Sequence, residues 1–231
     1  LSGARAPPFP PRTVVVQHEA MTQYDARWFA SQAATWADDP RKVERARQAA
    51  NAIAGEVPLD PSWSVLDYGA GPGLLAFALA DRVGDILMLD FSDGMVELAR
   101  QRIADAGRPG MRAEKHDLTV EPLPDGQQFD LVISMMVLHH VDDVPLLLKR
   151  LFAATAHGGW IAVLDLEPEQ GEYHDPGFTG HPGFSRGLLR RALATAGFGH
   201  LTVRQVLEVE KQVDGVARKF GVFLAIARKE P

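Results

Sequence analysis

The chain has 231 residues, a formal charge of −6 and no cysteine. Without cysteine, disulfides and thiolate metal sites are excluded, and a cytoplasmic location is the expectation. The acidic balance argues against the basic stripe of a duplex-binding protein, and no apolar run approaches the ~20 residues that cross a bilayer, so neither a nucleic acid nor a membrane is expected as partner.

Residues 1–20 read as a disordered or upstream segment, because Ala6-Pro7-Pro8-Phe9-Pro10-Pro11 stays extended, and Met21 reads as the start of the domain. Residues 21–56 are expected to form a helical cap. Trp28, Phe29, Gln32, Ala33 and Trp36 recur at helical steps, and Asp39-Pro40 is a helix start whose helix runs to Ala54 and ends at Gly55. Residues 57–231 carry alternating strand and helix patterns, the mark of a mostly parallel sheet covered on both faces.

The first strand, about Ser64–Asp67, runs into Gly69-Ala70-Gly71-Pro72-Gly73 and then a helix over about Leu74–Arg82. Glycine permits backbone angles closed to other residues, and a turn without side chains lets a ligand approach the main chain. A second strand, Ile86–Asp90, ends on an acid at roughly the 20-residue offset where a carboxylate meets a ribose diol in nucleotide-binding folds. Ser92 is expected to cap a helix with Met95, Leu98, Ala99 and Ile103 inward. A third strand, about Arg112–His116, precedes Asp117, and a fourth, Phe129–Ser134, precedes Met135-Met136-Val137-Leu138-His139-His140-Val141-Asp142-Asp143. Asp143 caps the next helix, which Gly158-Gly159 is expected to stop before a strand over Trp160–Leu166. A polar loop with His174 and His181 follows, then a helix capped by Ser185 and ended by Gly197. Two strands, about Leu201–Lys211 and Lys219–Arg228, flank the hairpin signal Asp214-Gly215.

The blocks at 65–73 (Val-Leu-Asp-Tyr-Gly-Ala-Gly-Pro-Gly) and 87–100 (Leu-Met-Leu-Asp-Phe-Ser-Asp-Gly-Met-Val-Glu-Leu-Ala-Arg) resemble the S-adenosylmethionine (SAM) site of class I methyltransferases. The resemblance runs from about Tyr24 to the C-terminus. It implies an α/β, Rossmann-like fold: a mostly parallel seven-stranded sheet with helices on both faces and a C-terminal antiparallel hairpin. It implies SAM as cofactor, with Gly69, Ala70, Gly71 and Gly73 along its methionine end and Asp67 holding the amino group through the turn. Asp90, followed by Phe91, would take the ribose. Asp117 and Leu118 would meet the adenine, and Ser134 would close the cofactor side at the end of the fourth strand. Because Gly-x-Gly-x-Gly differs from the Gly-x-Gly-x-x-Gly of nicotinamide turns, NAD remains the second reading of the pocket.

A base is needed only where the acceptor atom carries a proton. The candidates are His139, His140, Glu167, His174 and His181, with His139 the first choice; orienting the substrate and packing as a neutral structural histidine are its other readings. Tyr24, Trp28, His140, Glu167 and His174 are the expected substrate residues. The spacing of His174 and His181 with Glu167 and Glu169 matches no compact ligand motif, so no metal is expected. Methyl transfer from SAM to a small-molecule substrate is the expected function; a SAM- or nucleotide-binding regulatory module without turnover is the alternative. Residues 21–56 and 165–185 would decide the acceptor, and the oligomeric state stays open.

Overall fold

The structure, a computed structural model, describes Trp28 and residues 39–124 and 126–230. Its elements in chain order are α1 (Pro40–Ala54), β1 (Val65–Tyr68), α2 (Leu74–Leu79), β2 (Ile86–Asp90), α3 (Asp93–Ala106), β3 (Met111–Lys115), β4 (Phe129–Met135), a 3₁₀ turn (Leu138–His140), α4 (Val144–Ala154), β5 (Thr155–Leu166), α5 (Arg186–Ala196), β6 (Gly199–Val213) and β7 (Val216–Arg228). The strands form one seven-stranded sheet in the order β3-β2-β1-β4-β5-β7-β6. β3, β2, β1, β4 and β5 pair in parallel, and β7 runs antiparallel to both β5 and β6. This is the Rossmann-like sheet with a terminal hairpin that the resemblance implies.

Every residue of β1 and β2 is buried, as continuous apolar strands covered on both faces must be. Successive side chains point to opposite faces. Val65, Ile86, Met88 and Ile133 pack with Ala49 and Ile53 of α1, Leu75 and Leu79 of α2 and Val96 of α3. Leu66, Leu87, Leu89 and Val132 pack with Leu147, Leu148 and Leu151 of α4 and Leu189 and Leu193 of α5. The N-terminal helix α1 therefore shares its apolar cluster with the sheet.

Three of the four expected side-chain caps form; Ser92 stands at the N-cap of α3 but its side chain makes no capping bond. Asp39 accepts from Arg41 N at 2.9 Å with Pro40 beginning α1, Asp143 accepts from Leu146 N at 2.9 Å, and Ser185 accepts from Leu188 N at 3.2 Å. The hairpin turns through Asp214 (φ 50°) and Gly215 (φ 78°), two left-handed residues in succession, which suits the twist of the flanking strands. Gly158-Gly159 departs from expectation. α4 already ends at Ala154, and the two glycines lie inside β5. The register against β4 jumps there from Phe129↔Thr155 to Leu131↔Trp160. A Cβ on Gly159 would stand 2.9 Å from the carbonyl oxygens of both Ala156 and Asp130, so glycine serves a strand bulge rather than a helix stop.

Candidate functional site

β1 and β4 are neighbours although their connections leave toward opposite edges of the sheet, so their carboxyl ends open the crevice where open α/β sheets bind ligands. A cavity of about 650 Å³ lies there, within the size range of small-molecule sites. The β1–α2 turn, Asp90, Phe91, Asp117, Thr119 and the loop Met135–Val137 line it, together with Lys42 and Arg45 of α1, His140–Asp143 and Gly177–Gly180.

The turn is held by backbone bonds. Gly69 N and Ala70 N donate to Leu89 O at 2.8 and 3.0 Å, and Gly73 N donates to Ala70 O at 2.9 Å. Gly69, Gly71 and Gly73 all adopt left-handed φ, at 69°, 54° and 81°. Their surroundings differ. A Cβ on Gly69 would drive into Val137, and one on Gly73 would stand 2.5 Å from Met88 Sδ. A Cβ on Gly71 would meet nothing closer than Met95 Sδ at 3.9 Å. Only Gly71 leaves its missing side chain as space on the cavity wall.

Asp90 ties the turn to β2: its Oδ2 accepts from Gly71 N at 2.8 Å and its Oδ1 from Ser92 N at 2.9 Å. Burial raises its pKa above the ordinary range, against the pull of those backbone donors. Asp67 is nearly fully buried, and its Oδ2 has no hydrogen-bond partner among the described residues. Burial pushes Asp67 up to about 7, the Ala76 N–H opposing and the Asp90 charge adding. Asp117 Oδ1 accepts from Thr119 N and Oγ1, at 2.8 and 2.7 Å, and from the Tyr68 hydroxyl at 3.3 Å.

His139 is buried. Its Nδ1 lies 2.5 Å from Asp165 Oδ1 and its backbone N donates to Asp165 Oδ2 at 3.3 Å. His140 and His174 pack against it, with ring centroids 4.2 and 4.9 Å from that of His139, and Phe178 stacks on His174 at 3.7 Å. Desolvation lowers the pKa of His140 to about 2 and of His174 to about 3. Burial also lowers Lys42, to about 8.

Residues 65–159 match the family model of the methyltransferase domain. This segment carries a methyltransferase domain of the class I SAM-dependent type. Among curated relatives, an uncharacterized methyltransferase of Mycobacterium tuberculosis is 36% identical over 100 residues, 43% of this chain and 49% of that protein. The trans-aconitate 2-methyltransferase of Variovorax paradoxus is 36% identical over 122 residues, 52% of this chain and 44% of the relative. The ubiquinone biosynthesis O-methyltransferase of Bordetella avium is 27% identical over 146 residues, covering 58% and 56%. The chain thus spans about half the length of the curated relatives it matches. In fold it resembles a SAM-dependent methyltransferase of Aquifex aeolicus (TM-score 0.64, 20% identity, 90% of this chain and 100% of the other). It also resembles the [4+2]-cyclase SpnF (TM-score 0.66, 19% identity, 80% of each).

Within this methyltransferase domain, Asp67, Gly69, Ala70, Gly71, Asp90, Phe91, Asp117 and His140 come together on the cavity wall. Gly73 sits behind the turn. Leu118 is fully buried in the core below Asp117. Ser134 is buried too, its hydroxyl donating to Tyr68 O at 3.0 Å. Neither is part of the wall. His139 lies behind His140. Glu167 pairs with Arg186 at 2.5 Å, away from the cavity, and His181 bonds Val141 O at 3.0 Å. Trp28 is half-buried and helical; Tyr24 lies outside the described residues. The sequence reading missed Lys42 and Arg45 as wall residues. Their four-apart partners Ala46 and Ala49 face the core, and the helical period alone placed the two bases near the edge of that stripe.

Proposed function

We propose that the chain transfers a methyl group from SAM to a small acceptor that carries a carboxylate. The observation that carries this reading is one cavity lined by two unlike sets of groups. A buried carboxylate oxygen of Asp67 has no partner among the described residues and Gly71 leaves open space, while Lys42 and Arg45 bring basic side chains to the same lining. The first set fits the cofactor: an ammonium satisfies Asp67 through the turn, and Asp90 keeps carboxylate lone pairs for a diol beside its two backbone donors. The second set fits an anion.

SAM supplies a methyl on a sulfonium, already activated as a leaving group. The chain's own work is to hold, orient and exclude water. Proximity and orientation supply ~7–11 kcal/mol in favourable cases. Met135, Met136, Val137 and Phe178 give the cavity an apolar middle, where water is poorly accommodated. Of the clustered histidines, His140 is the one that reaches the wall, and it is the imidazole positioned to touch an acceptor. The relatives named for trans-aconitate, a polycarboxylate, and for ubiquinone biosynthesis support a small acceptor. The kinship in fold with a cyclase keeps a second reading alive: the same cavity binding SAM without transferring its methyl.

Calorimetry with SAM, S-adenosylhomocysteine and NAD tests the cofactor. Binding of the first two and not of NAD is the expected result; binding of NAD alone would overturn it. A panel of di- and tricarboxylates and aromatic acids, followed by demethylated product, tests the transfer. Lys42→Ala and Arg45→Ala are expected to raise KM for an acidic acceptor about tenfold or more each, the scale of a lost charge-assisted hydrogen bond of ~1.5–3 kcal/mol, while SAM affinity holds.

A further inference from the structure

We propose that His139, His140 and His174 form a binding site for one divalent transition metal ion, zinc first, at the acceptor end of the cavity. The site itself rests on geometry alone and not on the cofactor reading. One nitrogen of each ring lies within 4.8 Å of one nitrogen of both others. Ligand nitrogens at ~2.0–2.1 Å from a tetrahedral zinc stand ~3.4 Å apart, so closure asks only for small ring rotations. The ring centroids are 4.2, 4.9 and 5.4 Å apart, so the three imidazoles converge on one place. They are not a parallel stack, since their interplanar angles are 43°, 47° and 81°.

The carboxylate behind the cluster is the second observation. An ionised Asp165 accepts from His139 Nδ1–H across the 2.5 Å contact, which makes Nε2 the nitrogen that a metal ion would take. A ligating histidine whose other nitrogen donates to a carboxylate is the usual support of a metal site. Asp165 is itself held by Leu166 N at 2.7 Å. His174 is fixed by the Phe178 ring stacked on it, and its loop is anchored by His181 N donating to His139 O at 2.8 Å. Three histidines from a turn and a loop, with a fourth position toward the cavity that His140 lines, match the open type of zinc site rather than the closed structural type. The all-imidazole donor set suits zinc, copper, iron or nickel and disfavours magnesium or calcium.

The test needs no SAM and no turnover. Chelator-stripped protein is titrated with Co²⁺, then with Zn²⁺. One equivalent of Co²⁺ is expected, with the intense visible bands of a four- or five-coordinate ion, displaced by Zn²⁺. His140→Ala and His174→Ala should abolish the bands with circular dichroism unchanged. His174→Cys should restore binding and add a thiolate charge-transfer band, which keeps the test decisive if the alanine variants fold poorly. Asp165→Asn should keep the stoichiometry and weaken affinity about 10–100-fold. His200→Ala, an exposed histidine on β6, should change nothing. Stoichiometric Co²⁺ that survives His174→Ala, or only weak octahedral Co²⁺ in the parent, overturns the site. Failure of SAM to bind leaves this result untouched, so the two readings fail separately.

Discussion

Alanine at each glycine of the β1–α2 turn separates a ligand role from a packing role. All three glycines have left-handed φ, so each alanine costs about 1–2 kcal/mol in backbone strain. At Gly69 the new methyl also meets Val137, with Cγ1 at 2.9 Å and Cγ2 nearer still. Overpacking of that kind costs about 1–3 kcal/mol, so Gly69→Ala should lose about 2–5 kcal/mol of stability. At Gly73 the obstacle is the sulfur of Met88, a flexible side chain that gives way more easily, and an intermediate loss is expected. Gly71→Ala should lose only the strain of about 1–2 kcal/mol, because nothing lies within 3.9 Å of the added carbon. Its methyl instead occupies ligand space. If that costs the ligand what overpacking costs a core, about 1–3 kcal/mol, SAM affinity falls between about 5- and 150-fold. Urea denaturation of the three variants and calorimetry with SAM read the two effects apart. A Gly71→Ala protein as destabilised as Gly69→Ala, or one that binds SAM as tightly as the parent, refutes the reasoning.

Asp67, pushed up to about 7 from 3.8, holds its proton more tightly in the folded state than in the unfolded chain. Its contribution to stability is therefore full below about pH 4 and is lost as pH rises through about 7; Asp67→Asn should remove that fall from the stability–pH curve. A bound ammonium would favour the ionised carboxylate, so SAM binding to the parent near pH 6 should release a proton, read as heat that varies with the buffer, and Asp67→Asn should not. Asp90→Ala strands the Gly71 and Ser92 N–H groups, each worth about 1–3 kcal/mol when left unsatisfied, and should lower both the urea midpoint and SAM affinity. Gly159→Ala sets a methyl 2.9 Å from two carbonyl oxygens and should cost more stability than the exposed Gly126→Ala, whose added carbon meets nothing within 4 Å although its φ is 82°.

What the sequence disclosed was local or periodic. Apolar runs at 65–68 and 86–90, the caps Asp39, Asp143 and Ser185, and the Asp-Gly hairpin each act within a few residues, so pattern reading placed them. Gly158-Gly159 was misread because a helix stop and a strand bulge both call for glycine. What decides between them is the pairing of Trp160 with Arg228, almost seventy residues away. The glycine turn was legible as a ligand turn, but not the division of labour within it, which depends on Val137 and Met88 from other strands and loops. His139 and His140 were conspicuous, and His174 was noted. Their meeting was not readable, because the loop that brings His174 back depends on the fit of Gly180 against Phe178 and the His139 carbonyl.

The two halves of the cavity are built by different means. The half proposed for the cofactor is held by main chain and one carboxylate: Gly69 and Ala70 donate to the Leu89 carbonyl, and Gly71 N donates to Asp90 Oδ2. A change there disturbs β1 and β2 themselves. The acceptor half is assembled by side chains reaching across from separate elements. Lys211 of β6 donates to Tyr173 O at 2.7 Å, Arg218 of β7 pairs with Glu172 at 2.5 Å, and His181 bonds Val141 O at 3.0 Å. These contacts hold residues 172–181 against the sheet, so the acceptor wall is already formed and does not wait for a ligand to order it. Two of them reach the core, since Val141 belongs to one apolar cluster and Tyr173 packs on the other, so rebuilding this wall also touches the core. The same fold occurs in a SAM-dependent methyltransferase and in a cyclase, so the sheet by itself does not name the reaction. On the proposed function, variants at Lys42, Arg45 and His140 should change acceptor choice, and variants in the glycine turn should change SAM binding.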